Sequence, residues 1–248
     1  MTLFEHLEEL RGRIVKMSFG FALGFAIAWW QKEEILGRLA RPLLEVWPQA
    51  TLHFDAPASL FVAYARLSAL AGFVVALPIL LWQLWAFVAP GLYAREKRFA
   101  APFVVSSTGL FVSGSYFAYR LPIPLAFKFL IGLADPLGKR GMPLRPTIMV
   151  GEYLDFVLRM LVAFGLCAEL PILVFFLSIA GLVNHRHLIK FFRYFLVIDV
   201  IVAAIVTPPD ALSQILLALP LAALYGLSIG VAWLFAPEPA REPASLAE

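Results

Sequence analysis

The stretch VGEYLDFVLRMLVAFGLCAELPILVFFLSIAG, residues Val150–Gly181, decides how the rest of the chain is read. It is an apolar helix with charges set inside it. At about 100° per residue, Glu152, Asp155, Arg159 and Glu169 fall within one face of roughly 100°. Phe, Leu, Val and Ile fill the remainder. A lipid-spanning helix turns such a stripe toward protein or trapped water, because ionisable groups facing acyl chains are costly. Glu169 lies about 18 Å along the axis from Gly181, near mid-bilayer depth. Pro171 follows two residues later. Lacking an N–H, it frees the carbonyl of Cys167, which predicts a kink and a polar pocket beside the carboxyl. The plainer reading of Glu169 is an acid bonded to a neighbouring helix for packing alone. The cost of an acid at that depth favours a functional role.

Composition agrees with a chain of several spans. Of 248 residues, 61% are hydrophobic and 15% charged, and the mean hydropathy is +0.84. That excludes an ordinary soluble domain. No polar linker divides the chain, so residues 1–235 read as a single domain. The net charge of +3 gives no argument for nucleic acid. Cys167 is the single cysteine, so no intrachain disulfide can form. Ala26-Ile27-Ala28 has the small-residue pattern of a cleavage site. However, Glu5, Glu8 and Glu9 precede it and the apolar run Ile14–Trp30 is long for a removable segment, so that run reads as a span.

Taken in order, Thr2–Glu5 fits a capping box, and a helix begins near Leu3. His6, Glu9 and Arg13 share a face, and the plainest role of Glu9 is an i,i+4 partner for Arg13. The first span is Ile14–Trp30, with Gly20 and Gly24 as a GxxxG pair. Gln31–Ala58 reads as a surface amphipathic helix broken at Pro42, with Thr51–Phe54 extended. Asp55 or Ser59 caps the second span, Ser59–Leu81, and Arg66 within it is placed to meet Glu152 or Asp155. Trp82–Arg98 reads as a loop with interfacial aromatics and a Pro90-Gly91 turn. The third span is Phe99–Tyr119. Arg120–Met149 is a proline-rich connection with a helical piece, Pro124–Leu133. After the fourth span, Leu182–Phe192 reads as a loop. The fifth span is then short, with 14 residues between Arg193 and Pro208. That is about 21 Å of helix against about 30 Å of hydrocarbon, and Asp199 sits near its middle. Asp210, in the turn Thr207-Pro208-Pro209-Asp210, caps the sixth span, Ala211–Phe235. The tail Ala236–Glu248 reads as disordered.

Six spans put both termini on one side. Lys and Arg number ten on that side and eight on the other. Nine of the ten cluster near span ends, which places both termini in the cytoplasm. Familiar catalytic chemistry is missing from the sequence. There is no HExxH, no Cys/His cluster and no GxxxxGK[ST] loop, and His6, His53, His185 and His187 all lie outside the spans. No cofactor or metal is implied. What remains is a binding scaffold, a channel or an ion-coupled carrier.

Several stretches point to the scaffold. His6-Leu7-Glu8-Glu9-Leu10-Arg11-Gly12-Arg13 resembles the N-terminal HLxELRxR motif of the TatC family, the core receptor of twin-arginine protein translocation. Ala40-Arg41-Pro42-Leu43-Leu44 resembles its A-x-P-L segment. Trp85–Arg98, WAFVAPGLYAREKR, is similar to its first cytoplasmic loop. Phe164-Gly165 with Glu169-Leu170-Pro171, and Thr207-Pro208-Pro209-Asp210 with Gln214, resemble its fourth-span and last-turn motifs. The resemblance covers nearly the whole chain. It implies an all-α, glove-shaped bundle of six transmembrane helices with both termini cytoplasmic, in the bacterial cytoplasmic (inner) membrane. It implies no enzymatic activity. The implied function is binding of twin-arginine signal peptides on folded precursors, with assembly onto single-span TatA- and TatB-type subunits, self-association and transport driven by the proton-motive force. By the same resemblance, His6, Glu9, Arg11, Phe87, Pro90, Leu92, Glu96 and Arg98 form the signal-peptide site, with Glu9 and Glu96 facing the two arginines. Glu169 is the polar group of the concave face, and Pro42, Asp210 and Gln214 serve partners or structure. Asp199 departs from the family pattern. Two other classes stand beside this one. An ion-coupled secondary transporter using Glu169 and Asp199 predicts small-solute uptake by the chain alone, and the sequence offers it no inverted repeat. A purely structural membrane protein does not account for the charged stripe.

Overall fold

A computed structural model describes residues 3–88, 100–132, 147–179, 181–207 and 211–235. The described elements are helices α1 (Leu3–Trp30), α2 (Lys32–Leu39), α3 (Arg41–Val46), α4 (Pro57–Val88), α5 (Ala100–Arg120), α6 (Pro122–Gly132), α7 (Val150–Ala168), α8 (Leu170–Ile179), α9 (His185–Val206) and α10 (Ala211–Phe235). Two short strands, β1 (Leu52–His53) and β2 (Ile148–Met149), pair in parallel, with Leu52 opposite Ile148 and His53 opposite Met149.

Six long passes form the bundle: α1, α4, α5, α7 with α8, α9 and α10. Three are long and apolar enough to cross a membrane by composition alone, over Pro57–Phe87, Val150–Ile179 and Leu217–Phe235. A fourth qualifies if Leu7–Trp30 and Lys32–Val46, bent by 74°, are taken together. The others fall short for readable reasons. α5 carries Ser106, Ser107, Thr108, Ser113 and Ser115, and α9 carries Arg186, Lys190, Arg193 and Asp199. Ser107 and Asp199 are buried, Thr108 and Ser115 partly so, and the exposed Ser113 hydroxyl donates to the Leu110 carbonyl of its own helix at 3.0 Å.

α7 lies at the centre. Tyr153, Leu154, Val157, Met160 and Phe164 are buried, meeting Leu67 of α4, Ala118 of α5, Ile123 and Phe127 of α6, Ala203 of α9 and Leu217 of α10. The α1–α4 pair is held by backbone contact. A Cβ on Gly24 would stand 2.4 Å from the Gly72 carbonyl oxygen, and one on Gly72 2.5 Å from the Phe25 nitrogen. The GxxxG reading therefore names the contact face of α1, with Gly20 set against Ile79.

The end of the bundle away from the α1 start is closed by α2, α3, α6 and the strand pair. The break between α2 and α3 falls at Ala40, with Pro42 in the first turn of α3. Pro42 has no N–H for the Arg38 carbonyl, and that oxygen accepts instead from the Tyr119 hydroxyl at 2.7 Å. The neighbouring Leu39 carbonyl accepts from the Tyr153 hydroxyl at 2.5 Å. Before α4, the Ser59 hydroxyl beside Asp55 holds its carboxyl below the usual carboxylate range. α4 starts at Pro57, where a proline without N–H fits a first turn.

The structure corrects the sequence reading in two places. The first loop does not begin at Trp82, because α4 continues to Val88. No proline or glycine lies between Trp82 and Ala89, and interfacial aromatics are compatible with helix. Leu182–Phe192 is not a loop either, because α9 starts at His185 with Asn184 as its N-cap, accepting from the His187 N–H at 3.0 Å. The fifth pass is thus a helix of 22 residues, about 33 Å, and only its apolar part is short. The kink expected from Pro171 is present, because the fourth span is two helices, α7 and α8, meeting at Glu169. The Glu169 N–H turns back to the Leu166 carbonyl at 3.1 Å, one residue tighter than an α-helical bond. Residues 236–248 and Thr2 lie outside the described residues, as does the Asp210 cap.

Candidate functional site

The first candidate region is the bundle end where α1 begins. Arg13 reaches Glu9 one turn earlier, with Nη2 2.5 Å and Nε 3.1 Å from the same oxygen, Oε1. The plain i,i+4 pair is therefore formed. The second oxygen, Oε2, is buried without a hydrogen-bond partner among the described residues. Half of the carboxylate's accepting capacity is thus unspent, and a buried acceptor left so is costly until a donor arrives. Arg11 is exposed on the same helix. His6 lies in the first turns of α1, its side chain outside those described. Phe87 lies in the last turn of α4. Pro90, Leu92, Glu96 and Arg98 fall outside the described residues.

An aromatic cluster at this end was not singled out by sequence reasoning. Trp85 stacks on Phe103 of α5 at 5.2 Å, Phe176 of α8 meets both rings, and Phe175 meets Phe235 of α10 at 4.9 Å. The Trp85 indole nitrogen is buried with no partner among the described residues. Its signal was present, since aromatics collect at interfaces. What sequence lacked was the convergence of four helices on them.

The second region is the α7–α8 junction. Glu169, half-buried, points toward Ser107 and the Phe111 backbone of α5. The Ser107 and Thr108 hydroxyls are buried and unpartnered among the described residues. Acid and hydroxyl stand near each other without a closed hydrogen bond, an arrangement that suits an intervening water or a visiting polar group. The other members of the predicted stripe go elsewhere. Asp155 pairs with Arg66 of α4 at 2.5 Å, as the sequence suggested. Arg159 donates to the Ile205 carbonyl of α9 at 3.3 Å. The stripe therefore does not form one cluster. α7 is surrounded by α4, α5 and α9, and offsets of 40–60° along the helix are enough to hand each charge to a different neighbour.

Asp199 is buried, 3% exposed, on the α9 face toward Cys167 of α7. Both its oxygens are unpartnered among the described residues. Nearby on the same helix, Gln214 of α10 donates to the Val200 carbonyl at 2.9 Å, tying α9 to α10. Pro42 is buried at the far end. Glu169 and Asp199 look to opposite sides of α7. No group of three potential metal ligands occurs among the described residues.

With this geometry in hand, comparison with known proteins is direct. Residues 5–220 match the family model described as Sec-independent protein translocase protein TatC. The chain is similar to the TatC proteins of Koribacter versatilis (38% identity, covering 98% of this chain and 89% of the relative) and Aquifex aeolicus (38%, 92% and 93%). The TatC protein of Campylobacter jejuni is 39% identical, with 94% of each chain covered. Two crystal structures titled as the twin-arginine translocase receptor TatC superpose with TM-scores of 0.80 and 0.82 at 36% identity. The match covers 92% of this chain in both cases, with 97% and 99% of the solved chains. Nothing in these relatives supports an ion-coupled solute carrier. Likeness in sequence and in three-dimensional structure over nearly the full length establishes that this chain belongs to the TatC family of Sec-independent protein translocase proteins.

Proposed function

We propose that this chain is the signal-peptide receptor and assembly scaffold of a twin-arginine translocase in a bacterial cytoplasmic membrane. In this reading both termini are cytoplasmic, and single-span TatA- and TatB-type subunits dock on it for transport driven by the proton-motive force. Family membership makes it a protein-translocase component rather than an enzyme. The carrying observation is Glu9, a half-buried carboxylate that spends one oxygen on Arg13 and keeps the other without a donor. By family resemblance Glu96, in the sequence between α4 and α5, is the second acid of the proposed site, with Phe87, Pro90 and Leu92 as its apolar residues.

Arginine suits this site better than lysine, because its planar fork bonds a carboxylate in two places. Exposed pairs contribute under about 1 kcal/mol, so recognition depends on partial burial and on stacking against aromatics. Affinity falls as salt rises. The test uses purified receptor and signal peptides with twin Arg or twin Lys. The wild type prefers twin Arg, and the preference shrinks in Glu9→Ala and Glu96→Ala. Full affinity and full preference in both variants would put the recognition site elsewhere.

A further inference from the structure

The outward face of α9 belongs to neither region above, and its residues fall in an order with a chemical meaning. Take Arg186 as zero and advance about 100° per residue. Lys190 then lies near +40° and Arg193 near −20°, so three cations share roughly 60° of one face. Continuing along the same face come Val197 near +20°, Val200 near −40°, Ile201 near +60° and Ala204 near 0°. All seven residues are exposed. From Arg186 to Ala204 is about 27 Å of helix, with cations confined to roughly the first 10 Å and apolar side chains along the rest of this face.

Among the described residues, none of these three cations forms an ion pair. The sequence holds no Asp or Glu between Glu169 and Asp199. Asp199 lies on the opposite, buried side of α9. The ion pairs found among the described residues belong to Arg13, Arg38 and Arg66. Arg193 is held by Tyr194, its guanidinium carbon 4.7 Å from the ring and Nη2 donating to the hydroxyl at 2.9 Å. Tyrosine is enriched at the membrane surface, where a headgroup would lie. An open depression of about 700 Å³ lies beside the Tyr–Arg pair, lined by His187, Ile189, Lys190, Phe191, Arg193 and Tyr194.

We propose that this face is a binding site for an anionic phospholipid, its phosphate held by Arg186, Lys190 and Arg193 and one acyl chain lying along Val197, Ile201 and Ala204. Charge and shape both argue for that occupant. The positive charge is gathered at one end, where a headgroup sits. The rows below it, Val197, Val200, Ile201 and Ala204, are wholly apolar, as acyl chains require. Clustered Lys and Arg at a helix end on the membrane surface are the general basis of anionic-lipid recognition.

Native mass spectrometry of the full chain in detergent, titrated with phosphatidylglycerol or phosphatidylcholine, tests this. Wild type retains phosphatidylglycerol in preference to phosphatidylcholine. Retention falls about fivefold for each cation removed in Arg186→Gln, Lys190→Gln and Arg193→Gln, at roughly 1 kcal/mol per surface cation. Arg120→Gln with Lys128→Gln, at the far end, leaves it unchanged. Size-exclusion profiles and circular dichroism show that each variant is folded. Equal retention of both lipids, or a triple variant that binds like wild type, would overturn the proposal. So would glycerol 1-phosphate displacing the lipid at equal concentration, which would mean a free-phosphate site. Copies of the chain pairing through this face, with dimers lost in the triple variant and no lipid retained, would overturn it too.

Discussion

Pro42 shows how one missing N–H reaches two helices away. Because it cannot donate to the Arg38 carbonyl, the end of α2 presents oxygens that need partners, and Tyr119 and Tyr153 supply them. Tyr153 is 2% exposed, so its hydroxyl has no water alternative. Tyr153→Phe leaves the Leu39 carbonyl without that donor and costs about 1–3 kcal/mol. Thermal unfolding in detergent checks this, with a lower midpoint expected than for wild type. Glu169 behaves differently. It has no ion-pair partner among the described residues, so Glu169→Ala removes a charge without stranding another. The expected outcome is normal folding by circular dichroism with impaired precursor transport into membrane vesicles. Unimpaired transport would leave the acid only a packing role.

At the level of elements, the α1–α4 pair depends on two glycines more than on any side-chain contact. Backbone approaches at Gly24 and Gly72 leave no room for a methyl group. Gly72→Val forces the helices apart and costs about 1–3 kcal/mol or more through overpacking. Gly37→Ala, in open space on α2, is neutral or stabilising because alanine favours helix. Comparing the two melting points checks the assignment, and equal destabilisation would refute it. The α7–α8 pair makes a second point. Its proline breaks the helix at Glu169, where the acid can leave the α7 stripe and address α5.

Across the whole molecule, the passes are unequal. α9 is about 33 Å long, but its apolar part begins after Arg193, leaving about 21 Å to face hydrocarbon. A bilayer of about 30 Å must thin there or the flanking cations must snorkel. Spin-label depth profiles should show headgroups closer to the midplane beside Val197 than beside Val75 of α4. Equal depths at both positions would contradict this. Such a patch lies beside the α9–α10 pair, at the edge of the bundle rather than around α7.

Much of this was legible in the residues themselves. Hydropathy and charge located the passes, and the i,i+4 spacing gave the Glu9–Arg13 pair. The GxxxG spacing gave the contact face of α1, and Arg66 within a span called for an acid that proved to be Asp155. These signals are local, or arise because burying a charge in lipid leaves few choices of partner. Helix ends were less legible. The chain continued through Trp82–Val88 and started α9 at His185, because charged and aromatic residues mark the membrane surface without ending a helix. The neighbours of each face were decided only by the tertiary structure. Glu152, Asp155, Arg159 and Glu169 share a stripe in sequence, yet α4, α9 and α5 divide three of them. A helix's periodicity fixes which residues point together, and only the packing of other helices around it fixes what they point at.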